Sequence, residues 1–445
     1  MDDNQNVRFS NISDEVQVQL PDGRVILGPR GTRIEDFLRL IEDEESPKIV
    51  GAIVNGVLRE LTYPINIESI ISPVTMGTAD GMRIYRRSLT LLLGAAFEKL
   101  FPGVDLVVDH SVSFGGYFCR VLNREALTEK DLRKLKSHMV ELVEKDLKIE
   151  RREIPIKDAI EYFESMGHDD KVKLLRHRKK DYLMLYHLGD YCDYHHGYMV
   201  PSTRYLKWFD LQPAKEGFTL RFPRRHDPTK ILPLHQYPKL LATFRQYGDW
   251  LELLGIGSVG ALNDAITDGR IREVILVSEA LHNQHIAEIA LKIFSRRDEI
   301  RVVLIAGPSS SSKTTSSRRL LIQLLAYGLQ PFTLEMDNYF VDRTKTPKDE
   351  NGDYDYEHIN AVDRPLLNKN INDLIAGRKV QLPYYDFQTG KSWPGEEIHL
   401  HPNQIVILEG IHGLNPELLS EVPPEQIFRI YISALTQLNL DRYNR

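Results

Sequence analysis

The chain has 445 residues, of which 42% are hydrophobic and 27% are charged, and its formal net charge is −6. This length exceeds what one hydrophobic core usually supports, so we expect a globular protein of about three domains. The negative charge excludes a protein that is basic throughout, although a local basic face for RNA or phosphates stays open. No apolar run approaches the roughly 20 residues of a membrane span, which excludes membrane binding through such a helix.

The start of the sequence and its cysteine content indicate a cytoplasmic protein. Residues 1–14 begin with polar and acidic side chains, unlike a signal peptide, and we expect them to form a flexible N-terminus. The sequence contains two cysteines, Cys119 and Cys192, which provide no disulfide framework and fit a reducing compartment.

Residues 15–72 alternate short apolar runs with turns. The segment 16–20 alternates apolar and polar residues, and the turn Pro21-Asp22-Gly23 separates it from a second short strand. A helix is predicted over 34–41, and a further strand pair turns at Asn55-Gly56. These elements predict a small β-grasp module.

The middle of the chain is richer in helices. Residues 73–225 predict an α+β domain with helices at 88–100 and 128–146, and residues 226–298 predict a helical connector. Within the connector, residues 255–260 match the pattern G-x-G-x-x-G. A dinucleotide fingerprint needs a strand before it, whereas the preceding residues predict a helix tail with Gly255 near its C-cap. We therefore interpret this run as a turn.

From residue 299 the pattern changes to short apolar runs between helices. The runs lie at 302–306, 332–336, 405–408 and 427–432. Short buried strands that alternate with helices predict a parallel, doubly wound sheet over 299–445. The whole chain is thus predicted to be a multidomain α/β protein.

The run at 302–306 leads into a candidate phosphate-binding loop, which reads Gly307-Pro308-Ser309-Ser310-Ser311-Ser312-Lys313-Thr314-Thr315. A strand, a small-residue loop and a helix in this order are the context of a Walker A motif. We expect Lys313 to reach the β- and γ-phosphates of ATP and the Thr314 hydroxyl to bind Mg²⁺. Ser312 replaces the usual glycine, at a cost of about 1–2 kcal/mol if that position needs a positive φ. The alternative interpretation is a serine-rich turn with a solvated lysine.

Two carboxylates follow buried strands in this last domain. Asp337 comes directly after 332–336 and Glu409 directly after 405–408, where ligands bind in open α/β sheets. A single acid at a strand end often only caps a helix, but two beside a phosphate loop favour a functional role. Asp337 is the candidate to accept the proton of an attacking hydroxyl or to hold Mg²⁺, and Glu409 is a second candidate Mg²⁺ ligand.

The order of these segments resembles the uridine kinase/phosphoribulokinase family. The segments are the loop, Asp337-Asn338-Tyr339-Phe340, Pro383-Tyr384-Tyr385-Asp386-Phe387 and Leu408-Glu409-Gly410-Ile411. The resemblance implies a kinase that uses ATP and Mg²⁺ to phosphorylate the 5′-hydroxyl of a pyrimidine nucleoside, uridine or cytidine. It also implies that Asp337 is the catalytic base and that Tyr385 and Phe387 line the nucleoside pocket.

Two further expectations follow from the same resemblance. Asp355, in the acidic stretch 353–357, is implied to contact the ribose hydroxyls, and a solvated loop is an equal alternative there. Members of the family continue into an arginine-rich lid helix. The sequence stops at Arg445 without one, so we expect the last domain to lack its lid and to turn over slowly.

The start of the chain resembles another family. Leu20-Pro21-Asp22-Gly23, Pro29-Arg30-Gly31-Thr32 and Val54-Asn55-Gly56 make the first 72 residues similar to a TGS domain. Residues 73–225 resemble the editing domain of threonyl-tRNA synthetase, through Arg87-Ser88, Gly115-Gly116-Tyr117-Phe118 and the segment from Cys192 to Pro201.

The editing reaction needs a His-x-x-x-His pair that faces a Cys-x-x-x-His pair. This chain has Arg87 and Leu91 in the first pair and keeps Cys192 and His196 in the second. One cysteine and one histidine do not make an ordinary zinc site, and although His110 and His195 could be recruited, nothing in the sequence requires it. We therefore expect this domain to be a scaffold or binding surface.

Three functions stay open at this point. The first is the nucleoside kinase, whose partners are ATP and a nucleoside or another small hydroxyl acceptor. The second is a tRNA- or RNA-binding module with a vestigial kinase fold, which the TGS-like start, Ser312 and the missing lid favour. The third is residual hydrolysis of mischarged tRNA. RNA is an optional partner of the kinase, and a homo-oligomer is compatible with any of these functions.

Overall fold

The structure is a computed structural model that describes residues 14–42, 47–112, 115–233, 238–350, 352–401, 403–433 and 438–444. Of the residues expected to form a flexible N-terminus, 1–13 lie outside this described part, as does Arg445. The described residues form two compact units. Unit 1 contains 14–270 together with 438–444, and unit 2 contains 271–433.

Unit 1 begins with a five-stranded sheet that confirms the predicted β-grasp module. Its elements are β1 (Glu15–Gln19), β2 (Val25–Pro29), α1 (Ile34–Leu38), β3 (Ile49–Val54), β4 (Val57–Arg59) and β5 (Ser69–Thr75). The strand order is β2-β1-β5-β3-β4, with β1 parallel to β5 and the other pairs antiparallel. Asn55 and Gly56 have φ angles of 48° and 80°, which is the backbone that a tight turn between β3 and β4 requires.

The rest of unit 1 packs helices against two antiparallel sheets. The elements are α2 (Ala79–Leu100), β6 (Asp105–Ser111), β7 (Gly116–Leu122), α3 (Glu129–Glu144), β8 (Ile149–Pro155), α4 (Ile156–Ser165), α5 (Asp169–Arg176), β9 (Tyr182–Leu188), β10 (Tyr191–Tyr194), β11 (Asp210–Ala214) and β12 (Gly217–Arg221). The sheet orders are β11-β12-β7-β6 and β10-β9-β8. This arrangement is the predicted α+β fold.

Helix α2 runs through the core of this second part. It begins nine residues earlier than the predicted helix at 88–100, and the Oγ1 of Thr78 caps it by accepting the N–H of Gly81 at 3.1 Å. Residues 79–87 contain several charged side chains, so their apolar spacing was too weak to extend the predicted helix. The structure corrects this boundary.

The predicted helical connector at 226–298 contains α6 (Pro238–Leu253), α7 (Val259–Thr267) and α8 (Ile271–Phe294). The first two helices belong to unit 1, whereas α8 belongs to unit 2. Gly255 follows the end of α6 with a φ of 66°, so the G-x-G-x-x-G run is a turn between helices, as predicted.

Unit 2 is the predicted doubly wound domain. After α8 its elements are β13 (Val302–Ala306), α9 (Lys313–Ala326), β14 (Gln330–Glu335), α10 (Arg364–Ile375), β15 (Val380–Asp386), β16 (Lys391–Ile398), β17 (Gln404–Gly410) and β18 (Ile427–Tyr431). The main sheet has the order β14-β17-β13-β18, and all its neighbours are parallel. β15 and β16 form a separate antiparallel hairpin.

The central strand β13 is buried on both faces, because helices cover each side of the sheet. Val303 and Ile305 join a core that includes residues of α8 and α9. Val302 and Leu304 join a second core that includes residues of α10. Alternate side chains of one strand therefore anchor two layers of helices, which explains why β13 reads as a continuous apolar run.

Residues 438–444 pack within unit 1, although they follow all of unit 2 in the chain. The Arg442 guanidinium contacts Asp105 at 2.6 Å and Asp170 at 2.9 Å. The side-chain amide of Asn444 donates to the Tyr194 carbonyl at 2.8 Å. This segment is therefore an integral part of the first unit.

A fully buried ion cluster lies beside this segment. The Lys171 ammonium, 0% exposed, bonds to the Asp193 carboxylate and lies 3.9 Å from Oδ1 of Asp441. Burial alone would lower the pKa of Lys171, but Asp193 and then Asp441 outweigh it, and the pKa is raised. Lys171 therefore stays charged, and the interior of unit 1 holds a paired cation.

None of the described helices combines the length and the apolar composition needed to span a membrane.

Removal of one partner of the buried Lys171–Asp193 ion pair should destabilise unit 1 strongly. We expect Asp193→Ala to lower the free energy of unfolding by about 3–5 kcal/mol, because it leaves the buried Lys171 charge without its nearest carboxylate. Urea unfolding followed by circular dichroism measures the change. Glu129→Ala removes a partner from an exposed ion pair with Arg133 and should cost less than about 1 kcal/mol. Equal losses in the two variants would contradict this account.

Candidate active site

The loop between β13 and α9 has a backbone that restricts its sequence. A Cβ on Gly307 would lie 2.2 Å from the Ile432 carbonyl oxygen, so a side chain does not fit there. Ser310 and Ser312 have φ angles of 61° and 64°, in the left-handed region. Position 312 therefore does require a positive φ, and serine carries a cost of about 1–2 kcal/mol there.

The first turn of α9 presents polar groups beside this loop. Ser312 is the N-cap, and α9 starts at Lys313. The Lys313 ammonium donates to the Pro308 carbonyl at 2.9 Å, so its side chain lies over the loop. The N-terminal end of this 14-residue helix adds positive potential at the same place, which favours anions.

The loop side chains divide between solvent and interior. Ser311 is buried, and its Oγ has no hydrogen-bond partner in the part of unit 2 that the structure describes. The exposed ones, at which a nucleotide would have direct access, are Ser309, Ser310, Ser312, Thr314 and Thr315.

A hydrogen bond joins α9 to the neighbouring strand. The Thr314 hydroxyl donates to Oε1 of Glu409 at 2.7 Å, and Glu409 lies near the carboxyl end of β17. The second oxygen, Oε2, is buried and accepts no hydrogen bond from the described residues. A hydroxyl and a carboxylate with an uncommitted oxygen are the hard donors that Mg²⁺ prefers. The residues present thus fit a Mg²⁺ ion.

Asp337 lies in the short turn that follows β14. The buried side chains of Met336 and Tyr339 anchor this turn, and a Cβ on Gly410 would overlap Met336 at 2.6 Å. The glycine at the end of β17 therefore allows the turn to approach the strand closely. As a result, Asp337 is fixed at the same sheet edge as Glu409.

The electrostatic surroundings of Asp337 suit a proton acceptor. Although part of the side chain reaches solvent, the protein around the carboxylate removes much of its water, and this burial raises its pKa. The negative charge of Glu335 raises the pKa further, Lys313 lowers it, and Glu409 raises it again, with a net upward shift. These interactions also show that Asp337, Lys313 and Glu409 share one charged region.

An aromatic cluster stands beside this turn. The backbone N–H of Tyr385 donates to Oδ1 of Asn338 at 3.4 Å, which ties the β15–β16 hairpin to the turn. The Tyr385 ring is buried and packs edge-on against Phe340 at 5.6 Å and against Phe387 at 5.1 Å. Phe387 is 57% exposed. Tyr385 therefore supports the cluster from behind, and Phe387 is the ring that a ligand can reach.

Asp355 lies in a local turn. Its Oδ1 accepts the backbone N–H of Glu357 at 2.9 Å, and its own N–H donates to the Pro347 carbonyl at 2.7 Å. Asp355 is half-exposed and lies near enough to His412 to affect its pKa. Burial and then His358 lower the pKa of His412, whereas Asp355 and Glu357 act in the opposite direction. This places the acidic stretch near the end of β17.

Sequence reasoning missed His412. It follows β17 by two residues, and its Nε2 is buried without a hydrogen-bond partner among the described residues. The signal was available, because His412 directly continues the segment Leu408-Glu409-Gly410-Ile411. A buried ring nitrogen at this sheet edge is a candidate to contact a ligand.

The editing-type constellation does not assemble in unit 1. The Arg87 guanidinium donates to the Tyr198 carbonyl at 2.5 Å, and Leu91 is buried in the core. Cys192 is half-buried in β10, where burial raises the pKa of its thiol, and His196 is exposed. Within the described residues, no group of three or more His, Cys, Asp or Glu side chains is placed to hold a metal ion.

The two histidines considered as substitutes are part of the core. His110 lies between the rings of Phe118 and Phe244, at 5.0 and 4.7 Å. His195 is fully buried, and burial lowers its pKa to about 3 although Asp193 acts in the opposite direction. Both rings therefore contribute to packing, and His195 stays neutral at neutral pH.

Comparison with known proteins gives two domain assignments. Residues 302–442 match the model of the phosphoribulokinase/uridine kinase family, and residues 16–75 match that of the TGS domain. The chain combines a TGS domain with a phosphoribulokinase/uridine kinase family domain. Its last third is thus a P-loop kinase domain.

Individual relatives cover parts of the chain. The threonine–tRNA ligase of a Geobacter species is 33% identical over 198 residues, which are 44% of this chain and 31% of that enzyme. The chain therefore spans about a third of the length of the curated relatives it matches. The solved structure of a possible uridine kinase from Bacillus stearothermophilus is 23% identical and covers 32% of this chain and 80% of that chain, with a TM-score of 0.26. A D-glycerate 3-kinase from Cryptococcus neoformans is 24% identical over 29% of this chain and 52% of that chain, with a TM-score of 0.23.

The left-handed backbone at Ser312 predicts a stabilising substitution. Ser312→Gly should raise the free energy of unfolding of unit 2 by about 1 kcal/mol, because glycine adopts a positive φ without the Cβ clash. Ser312→Ala keeps the Cβ and serves as the matched control, with no gain expected. Differential scanning calorimetry measures both. If alanine stabilised the chain as much as glycine, the strain at this position would not be the cause.

Proposed function

We propose that the chain is an ATP- and Mg²⁺-dependent kinase that transfers the γ-phosphoryl group of ATP to the 5′-hydroxyl of a pyrimidine nucleoside, uridine or cytidine. One observation carries the proposal. The phosphate loop, the Thr314–Glu409 hydrogen bond and Asp337 lie at the carboxyl ends of three neighbouring parallel strands. This edge is where ligands bind in open α/β sheets.

The donor side of the reaction uses the loop and the start of α9. Residues 307–315 surround the phosphates, and Lys313 exchanges its bond to the Pro308 carbonyl for phosphate oxygens. Thr314 and Glu409, with Asp337 nearby, would hold Mg²⁺, which neutralises charge on the β- and γ-phosphates when bound. The same lysine stabilises the negative charge that the leaving group gains.

The acceptor side uses the turn after β14 and the aromatic cluster. Asp337 takes the proton of the 5′-hydroxyl, and its raised pKa brings it closer to neutral pH, where a general base is most effective. The exposed Phe387 ring offers a surface on which a pyrimidine stacks, and Tyr385 holds that ring in place. Asp355 contacts the ribose hydroxyls from the acidic stretch.

Other features fit this function. Cys119 and Cys192 are free thiols, which agrees with a cytoplasmic enzyme that consumes ATP.

Another small hydroxyl compound is the alternative acceptor. A coupled assay of ADP release, run over a panel of nucleosides and other small alcohols, tests both. Release that depends on uridine or cytidine supports the proposal, whereas release with a different acceptor in the panel refutes the nucleoside specificity.

A second candidate function is RNA binding by the first unit. It is favoured by the TGS domain and by the similarity to threonine–tRNA ligases. Filter binding of tRNA at two salt concentrations tests it, because true phosphate contacts give a steep loss of affinity with salt. Hydrolysis of mischarged tRNA is not proposed, since Arg87 is engaged with Tyr198 and the metal-type constellation is not assembled.

The proposed base makes Asp337→Asn informative. We expect this variant to lose about 10²-fold or more in kcat, because the amide cannot accept the hydroxyl proton, while ATP still binds. The ADP-release assay measures kcat, and calorimetry measures the affinity for ATP. Asp373→Asn, which alters a carboxylate in a surface ion pair with Arg378, is the control and should keep its activity. Near-normal turnover of Asp337→Asn would refute the base assignment.

The pH profile should depend on Glu335. Asp337 works as a base only when ionised, so the rate rises with pH through its pKa, which lies above the ordinary aspartate value. Glu335→Gln removes a negative charge that disfavours ionisation, so the acid limb of the kcat profile should move to lower pH. Glu335→Asp keeps the charge and should move it less. If the acid limb stays at the same pH in Glu335→Gln, or moves to higher pH, a group other than Asp337 controls the rate there.

A further inference from the structure

Unit 1 contains a cavity that the kinase proposal does not use. Its volume is about 520 Å³, and it lies beside the N-terminal end of α2. Ligand sites for small molecules commonly have volumes of about 300–1,000 Å³. Its lining comes from α2, from the end of β6 and the start of β7, and from the segment after β12. Three separate stretches of the chain therefore build it.

The lining is strongly basic. It contains Arg83, Arg86, Arg224 and Arg225. Asp80 pairs with Arg83 at 2.6 Å, whereas the other three make no ion pair with a carboxylate among the residues that the structure describes. Like charges brought together repel one another, so this cavity favours the entry of an anion. The start of the 22-residue helix α2 adds positive potential there.

The cavity also has an apolar floor. Met82 and Phe222 are buried and lie in its wall. The Arg86 guanidinium stands over the Phe222 ring, 5.8 Å from its centroid. The planar Arg86 guanidinium, held over this ring and next to the other arginines, suits a molecule that has both a ring and a phosphate.

Gly115 and Gly116 contribute close-packed backbone to the wall of the cavity. A Cβ on Gly115 would lie 2.5 Å from the Phe222 carbonyl, and one on Gly116 would lie 3.0 Å from the Leu220 carbonyl. Gly115 also has a φ of 86°. Side chains at these positions would clash with the neighbouring backbone, so the two glycines keep this part of the wall close-packed.

We propose that this cavity binds a small phosphorylated molecule of the nucleoside monophosphate class. Arg224 and Arg225 hold the phosphate together with Arg83, and the ring of the ligand stacks on the Arg86 guanidinium, which stands over Phe222. The size of the cavity favours a mononucleotide over an RNA strand.

The test uses isothermal titration calorimetry on the full chain carrying Lys313→Ala, which weakens phosphate binding at the kinase loop. UMP and AMP are the probes, and uridine, inorganic phosphate and a short RNA are the comparisons. We expect a monophosphate to bind more tightly than uridine or inorganic phosphate, and the affinity to fall as salt rises. UMP is also the product of the proposed kinase reaction and binds at the acceptor site if that proposal holds, so AMP and the arginine variants below separate the two sites.

Matched variants locate the binding. The double variant Arg224→Ala/Arg225→Ala should weaken monophosphate binding roughly tenfold or more, since it removes charge-assisted hydrogen bonds. Arg133→Ala changes an exposed arginine of α3 outside the cavity and should have no effect. Unchanged binding in the double variant would overturn the proposal, and so would the absence of monophosphate binding. Preferential binding of the RNA that the same double variant abolishes would replace it with an RNA site.

Discussion

The parallel alignment of β13, β14 and β17 is the constraint on which the candidate site depends. Ile305 of β13 and Glu335 of β14 are both paired with Glu409 of β17, so the three strands end at one level. The loop after β13, the turn after β14 and the end of β17 therefore lie close together, and no long side chain has to reach across the sheet. The hydrogen bond between Thr314 and Glu409 then fixes the first turn of α9 against β17. The chemistry is thus a consequence of strand order, which buried apolar side chains on both faces of the sheet maintain.

Much of unit 2 could be predicted because its signals are local. All five residues of β13 are apolar and the strand runs directly into Gly307, so both its bounds and the loop were evident. Asp337 and Glu409 were found because each comes directly after an apolar run. The β15–β16 hairpin was missed, since prolines and charged residues interrupt its alternation of side chains.

Features made by distant parts of the chain could not be predicted. The early start of α2 was hidden by arginines on its first turns, and these same arginines face a cavity completed by residues near position 224. Nothing in the local pattern relates the two stretches. The domain that resembles an editing domain shows the reverse case. Arg87 donates a hydrogen bond and Leu91 packs in the core, so we assign ligand binding in unit 1 to the charged cavity rather than to Cys192 and His196.

The insertion of 438–444 into unit 1 has a consequence for biosynthesis. The ribosome makes this segment only after all of unit 2, so Asp105 and Asp170 are without the Arg442 cation until then. The Lys171 cluster likewise waits for Asp441. Part of the interior of the first unit is therefore completed only after the second unit has been synthesised.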